Sequence, residues 1–161
     1  MRPTTDRVRE AVGNRLMSQG VLRDARVLDL FAGTGAYGIE ALSRGAAHAT
    51  FVENAPAALA ALQANIEALG MSAETTIVRG DAVSYATSAR SADAFDVAFV
   101  DPPYSWDGWE SLLDGLHADI AVCEARHPVA VPGGWELVRS DRYGTTVITL
   151  LSAARVNEGS P

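Results

Sequence analysis

Short apolar runs alternate with helix-like segments along this chain of 161 residues, and the alternation restricts it to an α/β fold. The first of them is a short continuous apolar run, which is typical of a parallel strand covered on both faces. In chain order they read ARVLDLFA, HATFVE, TTIVRG, FDVAFV and IAVCEA. The helical segments are TTDRVREAVGNRLM, AYGIEALSRG, PAALAALQANIEALG, DAVSYATSA and WESLLDGLHAD. Strands joined by helices in this way predict a parallel sheet with helices on both of its faces.

The two ends of the chain add to this pattern. Thr4 or Thr5 is placed to cap the first helix, which precedes the first strand. Near the other end, WELVRS and TTVITLLS flank DRYG, which predicts two strands joined by a turn. Such a hairpin brings one antiparallel strand into a seven-stranded, mostly parallel sheet. We expect one domain over residues 1–155 and a frayed tail at residues 156–161.

A glycine-rich loop joins the first strand to the helix that follows it. Gly33, Gly35 and Gly38 have the spacing G-x-G-x-x-G, which lets a ligand approach the backbone closely. Glu53 comes twenty residues after Gly33, at the carboxyl end of the second strand. A carboxylate there can accept hydrogen bonds from both hydroxyls of a ribose. Tight packing is the competing explanation of the glycines, but the strand context and Glu53 favour a cofactor that contains adenosine.

Two further acids bear on which cofactor this is. Asp29, inside the first strand, would place a negative charge beside the pyrophosphate of a dinucleotide. The sulfonium and α-ammonium of S-adenosylmethionine would instead be attracted to Asp29, so this cofactor fits better. Asp81 follows the third strand, where it can accept a hydrogen bond from an adenine amino group or cap the next helix. These two roles of Asp81 are compatible.

The fourth strand ends in DPPY at residues 101–104, because prolines donate no amide hydrogen to a sheet. The Asp101 carboxylate and the Pro102 carbonyl can accept both hydrogens of an exocyclic amine, while Pro103 stiffens the turn. The amine nitrogen is thereby drawn towards a tetrahedral geometry, and its lone pair can attack a methyl group held in line. Tyr104 offers a face on which an unstacked base can lie. A turn with a surface aromatic residue is the competing interpretation.

Composition narrows the function further. The net charge of −7 argues against a general polyanion binder, although six arginines fall within the first 26 residues and the chain has no lysine. That basic segment either contacts a phosphate backbone or forms a solvated helix face. The single cysteine, Cys123, is predicted to be a buried thiol. The three histidines lack metal-site spacing, and no signal segment or membrane span is evident, so we expect a cytoplasmic protein without a metal.

Several stretches of the chain match one known family. They are RPTTDRVRE at 2–10, VLDLFAGTGAYGIEALSRGA at 27–46, FVE at 51–53, NIEALG at 65–70, RGDA at 79–82, DPPY at 101–104 and the tail from Trp135 to Gly144. On these stretches the chain resembles the RsmD-type 16S rRNA guanine-N2 methyltransferases of bacteria. The opening stretch is the most family-specific, whereas DPPY also occurs in N6-adenine and other amino-methyltransferases.

The resemblance implies a Rossmann-like class I methyltransferase that uses S-adenosylmethionine and methylates a guanine of 16S ribosomal RNA, free or in the small subunit. The cofactor positions that it implies are Asp29, Gly33, Gly35, Glu53, Asp81 and Ala82. The catalytic turn that it implies is Asp101, Pro102, Pro103 and Tyr104. Thr5 and Arg7 would line the mouth of the site with Tyr104 and contact the substrate. The protein is expected to act as a monomer and to have no membrane partner.

The chain also departs from the family. Gly13 stands where the family has a large apolar residue, and Tyr37 stands where it has an aliphatic one. The basic β-hairpin that the family carries before RPTTDR is not part of this sequence, which bears on RNA affinity more than on cofactor binding. Three alternatives stay open: methylation of adenine N6 in DNA or RNA, cofactor binding without catalysis, and, with least support, an NAD-dependent dehydrogenase.

Overall fold

The computed structural model describes residues 3–88 and 94–154, and the side chains of residues 3 and 4 are not described. The predicted frayed tail therefore lies outside the described residues. In chain order the elements are α1 (Pro3–Ser18), β1 (Arg26–Leu30), α2 (Ala36–Ser43), β2 (His48–Glu53), α3 (Pro56–Ala68), a 3-10 turn (Ser72–Glu74), β3 (Thr75–Arg79), α4 (Ala82–Thr87), β4 (Phe95–Val100), α5 (Trp109–Gly115), β5 (Ala118–Ala125), β6 (Trp135–Tyr143) and β7 (Thr146–Ala153).

The seven strands form one sheet in the order β3-β2-β1-β4-β5-β7-β6. Strands β1 to β5 pair in parallel, and β7 pairs antiparallel with both β5 and β6. The predicted mostly parallel sheet with one antiparallel C-terminal strand is thereby confirmed. The strand order reverses between β1 and β4. Open α/β sheets bind their ligands outside the carboxyl ends of the strands at such a switch point.

The core lies in two layers, one on each face of the sheet. Helices α1, α2 and α3 cover one face with buried side chains such as Val8 and Leu62. Helices α4 and α5 cover the other face, where Leu112 is buried. The neighbouring β1 residues Val27 and Leu28 enter opposite layers. This explains why β1 is mostly apolar, since the four side chains from Val27 to Leu30 are all buried.

The first helix begins earlier than its sequence pattern predicts. Helix α1 starts at Pro3, so Thr4 and Thr5 lie in its first turn, and the predicted cap at either threonine is wrong. Proline is favoured in a first turn because the amides there have no partner within the helix. The pattern of apolar residues starts only at Val8, and it therefore says little about the true first residue.

The first strand of the C-terminal hairpin is longer than predicted. Strand β6 continues through Tyr143 and β7 begins at Thr146, so the turn is Gly144–Thr145 and most of DRYG belongs to the strand. The pairing of β6 with β7 shifts register between Leu137 and Arg139. Such an irregularity bends an edge strand and discourages further pairing along it.

Gly13 lies where α1 meets the end of α2. A Cβ atom at this position would overlap Nε of Arg44, the residue that follows α2. The same guanidinium donates to Asn14 Oδ1 at 3.0 Å and lies 3.7 Å from Glu40 Oε1. The structure thus accounts for the small residue at Gly13, because the arginine occupies the space that a large apolar side chain would need.

Candidate active site

Acidic residues stand at the carboxyl ends of all five parallel strands. Asp29 and Glu53 lie at the ends of β1 and β2, Glu124 lies near the end of β5, and Asp81 and Asp101 follow β3 and β4 closely. Because these strands are parallel, their carboxyl ends meet at one edge of the sheet. That edge contains the switch point between β1 and β4. Sequence reasoning named four of these acids and missed Glu124.

The glycine loop leaves space above one glycine and packs tightly at the others. Gly33 has a φ of 57°, and an added Cβ atom there would meet nothing within 4 Å. A Cβ atom at Gly35 would overlap Leu62, and one at Gly38 would overlap Phe51. Tight packing is therefore confirmed at Gly35 and Gly38, whereas the approach of a cofactor at Gly33 stays a prediction. Gly33 faces open space that a ligand can enter, whereas Gly35 and Gly38 allow α2 to approach the sheet.

Glu53 fixes the loop to the second strand. Its Oε1 accepts a hydrogen bond of 2.9 Å from the Gly33 amide. Its Oε2 accepts from the amides of Asn54 and Ala55 at 2.9 and 2.8 Å. A carboxylate held in this way presents its remaining lone pairs in a set direction. This geometry suits the ribose contact that the sequence predicts.

Asp29 is buried beneath the same loop. Its side chain is 2% exposed, and Oδ2 accepts a hydrogen bond of 2.9 Å from the Gly38 amide. Burial raises the pKa of Asp29 to about 7, with the charge of Glu53 adding to the rise and the Gly38 amide opposing it. A carboxyl group with so high a pKa favours a cationic neighbour over an anionic one. These acids and the open space at Gly33 fit S-adenosylmethionine and disfavour a pyrophosphate.

Asp81 begins helix α4. Its Oδ2 accepts a hydrogen bond of 2.9 Å from the Ser84 amide, so the predicted cap is confirmed. The preceding Gly80 amide donates to the carbonyl of Glu53 at 3.0 Å, which places Asp81 beside the end of β2. Ala82, the first residue of α4, is buried. The contact of Asp81 and Ala82 with adenine stays a prediction that this position permits.

The DPPY turn projects from the end of β4 on the other side of the switch point. Asp101 and Pro102 are half-buried, whereas Pro103 and Tyr104 are exposed. The Trp106 amide donates to the Pro103 carbonyl at 3.0 Å and closes the turn. A cavity of about 610 Å³ adjoins it, lined by the turn itself, by Trp106 and Trp109, and by residues 124–132. This space lies on the β5 side of Asp101, where an acceptor base could enter.

A carboxyl pair joins β4 to β5. Burial raises the pKa of Asp101 to about 8, and the charge of Glu124, a hydrogen bond with Glu124 and the charge of Asp29 act in the same direction, against Arg9. Glu124 Oε1 also accepts a hydrogen bond of 2.6 Å from the Tyr37 hydroxyl. Tyr37, Glu124 and Asp101 thus form a hydrogen-bonded chain behind the turn.

Tyr37 is held in place by its ring. The ring stacks on Phe99 of β4 with centroids 5.0 Å apart, and burial and Glu124 raise the pKa of its hydroxyl well above its ordinary value. A tyrosine that stays protonated is a hydrogen-bond donor to Glu124 at every physiological pH. Tyr37 stands where the family has an aliphatic residue, and its hydroxyl makes a bond to Glu124 that an aliphatic side chain could not make.

An aromatic row connects the two sides of the site. Phe31, which follows β1 with a φ of 58°, meets Trp106 edge-on at a centroid distance of 5.1 Å. Trp106 meets Trp109 in the same manner at 5.0 Å. A positive φ at a non-glycine residue is uncommon and is found mostly where the surroundings enforce it. Phe31 thereby ties the start of the glycine loop to the turn after β4.

The residues predicted from the opening stretch lie on α1. Arg7 is exposed and Thr5 is half-buried. The charge from α1 that acts on Asp101 and Tyr37 belongs to Arg9, which sequence reasoning did not single out. One signal could have found it. Arg9 comes four residues after Thr5 and three before the buried Val12, so it shares the inward helix face.

Within residues 3–88 and 94–154, no group of three or more His, Cys, Asp and Glu side chains could hold a metal ion. No helix in the same ranges is long and apolar enough to span a bilayer. Cys123 is buried on β5, as predicted, and burial raises its pKa to about 12.

The strand order, the glycine loop and the strand-end acids define a class I S-adenosylmethionine-dependent methyltransferase. A magnesium protoporphyrin IX methyltransferase from Synechocystis, solved with S-adenosylmethionine bound, shares the fold at a TM-score of 0.74 and 16% identity, over 94% of this chain and 80% of that one. The family model described as "Conserved hypothetical protein 95" matches residues 1–152. The chain therefore belongs to this family, the RsmD family that its motifs resemble.

Two relatives illustrate the membership. The ribosomal RNA small subunit methyltransferase D of Escherichia coli is 36% identical over 160 residues, which covers 93% of this chain and 78% of that protein. The solved structure of yhhF from Escherichia coli is 35% identical, with a TM-score of 0.82 over 95% of this chain and 88% of that one. The similarity thus extends over the glycine loop, the DPPY turn and the C-terminal hairpin together.

Proposed function

We propose that this protein transfers a methyl group from S-adenosylmethionine to N2 of a guanine in 16S ribosomal RNA, acting in the cytoplasm as a monomer. The observation that carries the proposal is the acceptor turn, Asp101–Pro102, which lies at the switch point between the glycine loop and a cavity of about 610 Å³. Support for the substrate comes from the name of the Escherichia coli relative, which specifies small-subunit ribosomal RNA.

The residues on one side of the switch point would bind the cofactor, and those on the other side would bind the acceptor amine. When bound, S-adenosylmethionine supplies an electrophilic methyl group on a cationic sulfur. Glu53 would hold the ribose, Asp81 and Ala82 the adenine, and Asp29 would face the positive charge. Gly33 leaves room for the ligand because its position carries no side chain. Gly35 lets α2 pack closely behind it.

The acceptor side prepares the amine. Asp101 and the Pro102 carbonyl would accept the two amine hydrogens, and Pro103 would keep both oxygens in place. Fixed acceptors of this kind stabilise positive charge as it develops on nitrogen, by about 3 kcal/mol for one group. As the nitrogen–carbon bond forms and the carbon–sulfur bond breaks, the nitrogen must lose one proton. The carboxyl pair of Asp101 and Glu124 is within the site to take it.

Tyr104 would receive the flipped base. Its side chain is 63% exposed, and the Arg126 guanidinium lies 3.7 Å from the ring centroid. A base that stacks on Tyr104 would therefore meet an arginine that can turn towards the adjacent phosphate. Thr5 and Arg7 would contact the RNA farther out, at the mouth of the site.

Methyl transfer to defined RNA tests the proposal. The protein is incubated with labelled S-adenosylmethionine and either 16S RNA or small subunits that lack the modification, and the methylated nucleoside is identified. We expect N2-methylguanosine, loss of at least about 100-fold in rate for Asp101→Ala, and near-normal rate for the control Asp114→Asn, an exposed acid on α5. Label in N6-methyladenosine would assign the adenine alternative. No label in either substrate would reject catalysis on this RNA.

A further inference from the structure

We propose that the free enzyme keeps one proton between Asp101 and Glu124, and that binding of the cationic methyl donor expels it. Glu124 is then a positioning residue that acts through Asp101. The inference rests on the proposed function, because it takes Asp101 to be the amine acceptor and therefore to lie beside the sulfonium.

The sheet register places the two acids side by side. Val100 pairs with Cys123 in the parallel ladder of β4 and β5, so Asp101 and Glu124 are the next residues on each strand. Neighbouring positions on paired parallel strands lie on the same face of the sheet, on strands about 4.8 Å apart. The charge of Glu124 and a hydrogen bond with it both raise the pKa of Asp101. Two ionised carboxylates side by side repel each other, so this placement favours one proton on the pair.

Neighbouring elements keep Glu124 where it is. Glu124 Oε1 accepts from the Tyr37 hydroxyl at 2.6 Å, and the Tyr37 ring is fixed by its stack on Phe99. Glu124 consequently has one oxygen committed to a donor. The Tyr37 bond therefore keeps the Glu124 side chain in place beside Asp101.

Charged and titratable groups surround the pair on several elements. From the helices and strands these are Arg9 on α1, Asp29 on β1 and Tyr37 on α2, and along the cavity they are Asp107, Glu110, Arg126 and His127. Arg9 lowers the pKa of Asp101, but burial, Glu124 and Asp29 outweigh it, and the pKa is raised to about 8. The proton therefore stays on the pair at neutral pH while no cation is bound.

The presence or absence of this proton would determine whether Asp101 can accept a hydrogen bond from the amine. A protonated carboxyl group presents a donor where the amine needs an acceptor, so the free site is not ready for the amine. A sulfonium beside Asp101 favours the ionised form and lowers its pKa. The amine acceptor is thus completed only after the methyl donor has bound, which favours binding of the cofactor before the RNA.

The coupling between proton release and cation binding predicts how the affinity changes with pH. Below the free pKa of about 8, binding of the cation must displace a proton, so its affinity rises with pH. For this pair the rise is at most about tenfold for each pH unit, because the pair holds one proton. Asp29, whose pKa is raised to about 7, would also lose a proton beside a cation, and the Glu124→Gln variant distinguishes the two sources because it leaves Asp29 in place. S-adenosylhomocysteine has the same α-ammonium but a neutral sulfur. The ratio of the two affinities therefore isolates the effect of the sulfonium.

Calorimetry of the full chain tests this directly. Titrations with S-adenosylmethionine and with S-adenosylhomocysteine are compared between about pH 6 and pH 7.5, in buffers of different ionisation heat. We expect the first ligand to release more protons than the second, by up to about one, with an affinity ratio that changes by about tenfold over the range. Equal proton release, or a ratio constant within about twofold, would overturn the inference.

Two variants separate positioning from folding. Glu124→Gln keeps an acceptor for Tyr37 and a donor for Asp101 but removes the charge, so proton release should fall and the acidic limb of kcat should move to lower pH. A residue with a merely structural role would lower kcat equally at all pH values. Tyr37→Phe keeps the stack on Phe99 and removes the hydroxyl, and proton release should then persist to higher pH.

The outcomes also separate this inference from the proposed function. Proton release is measured without RNA, so an enzyme that releases the proton yet methylates no ribosomal RNA contradicts only the proposed substrate. An enzyme that produces N2-methylguanosine without ligand-specific proton release contradicts only the inference.

Discussion

Replacement of Asp101 by asparagine should remove part of the pH dependence of stability. The variant should therefore become more stable relative to the wild type as the pH rises. In the native state the pKa of Asp101 is raised from 3.8 to about 8, chiefly by burial and by Glu124. Between these values the native state holds a proton that the unfolded state has lost. The free energy of unfolding therefore falls with rising pH, whereas the contribution of this group is fully present below about pH 4.

The size of the effect follows from the same linkage. One proton corresponds to a slope of about 1.4 kcal/mol per pH unit, so the wild type should lose up to about 4 kcal/mol between pH 5 and pH 8 from this group. An asparagine side chain does not titrate, so Asp101→Asn should remove this slope. The remaining slope would come from Asp29, whose pKa is raised to about 7 and whose contribution has the same sign.

Urea unfolding at several pH values between about pH 5 and pH 8 provides the assay, with the free energy in water extrapolated for each variant. Asp114→Asn, which removes an exposed acid on α5, serves as the matched control and should follow the wild type. Parallel pH profiles for wild type and Asp101→Asn would refute the reasoning, because the pair would then hold no proton. A variant less stable than the wild type at pH 8 would refute it as well.

Three further predictions concern packing and binding. Gly13→Leu should destabilise the fold by about 1–3 kcal/mol through its clash with Arg44, and adding Arg44→Ala should restore much of the loss in a double-mutant cycle of unfolding free energies. Gly33→Ala should weaken S-adenosylhomocysteine binding in calorimetry more than it lowers stability, whereas Gly35→Ala should lower Tm more because a Cβ atom there overlaps Leu62. Arg126→Ala should raise the KM for RNA and leave cofactor affinity within about twofold, because Arg126 covers Tyr104 and does not lie on the glycine loop; equal loss of both affinities would contradict this placement.

The sheet and most of its acids were predictable because their signals are local. A mostly apolar run with an acid near or just after its end gives both the strand and its carboxyl end, which is how Asp29, Glu53, Asp81 and Asp101 could be found. Glu124 carries the same signal in IAVCEA. It was overlooked because its importance depends on the register of β5 against β4, a pairing between distant segments.

Other features depended on contacts that no local pattern records. The hydroxyl of Tyr37 bonds to a residue 87 positions away. Gly13 is small because the guanidinium of Arg44, at the end of α2, occupies the neighbouring space. This guanidinium bonds to Asn14, which is 30 positions away from Arg44 along the chain. The extent of β6 was underestimated because DRY was assigned to the turn by composition, whereas its residues pair in register with β7.

A structure of the complex with S-adenosylhomocysteine tests the central claim most directly, since that claim joins a donor site at the glycine loop to an acceptor turn after β4. The account predicts the ribose on Glu53, the adenine beside Asp81 and the sulfur facing the oxygens of Asp101 and Pro102. A sulfur directed away from this turn, with the ribose bound elsewhere than Glu53, would contradict it.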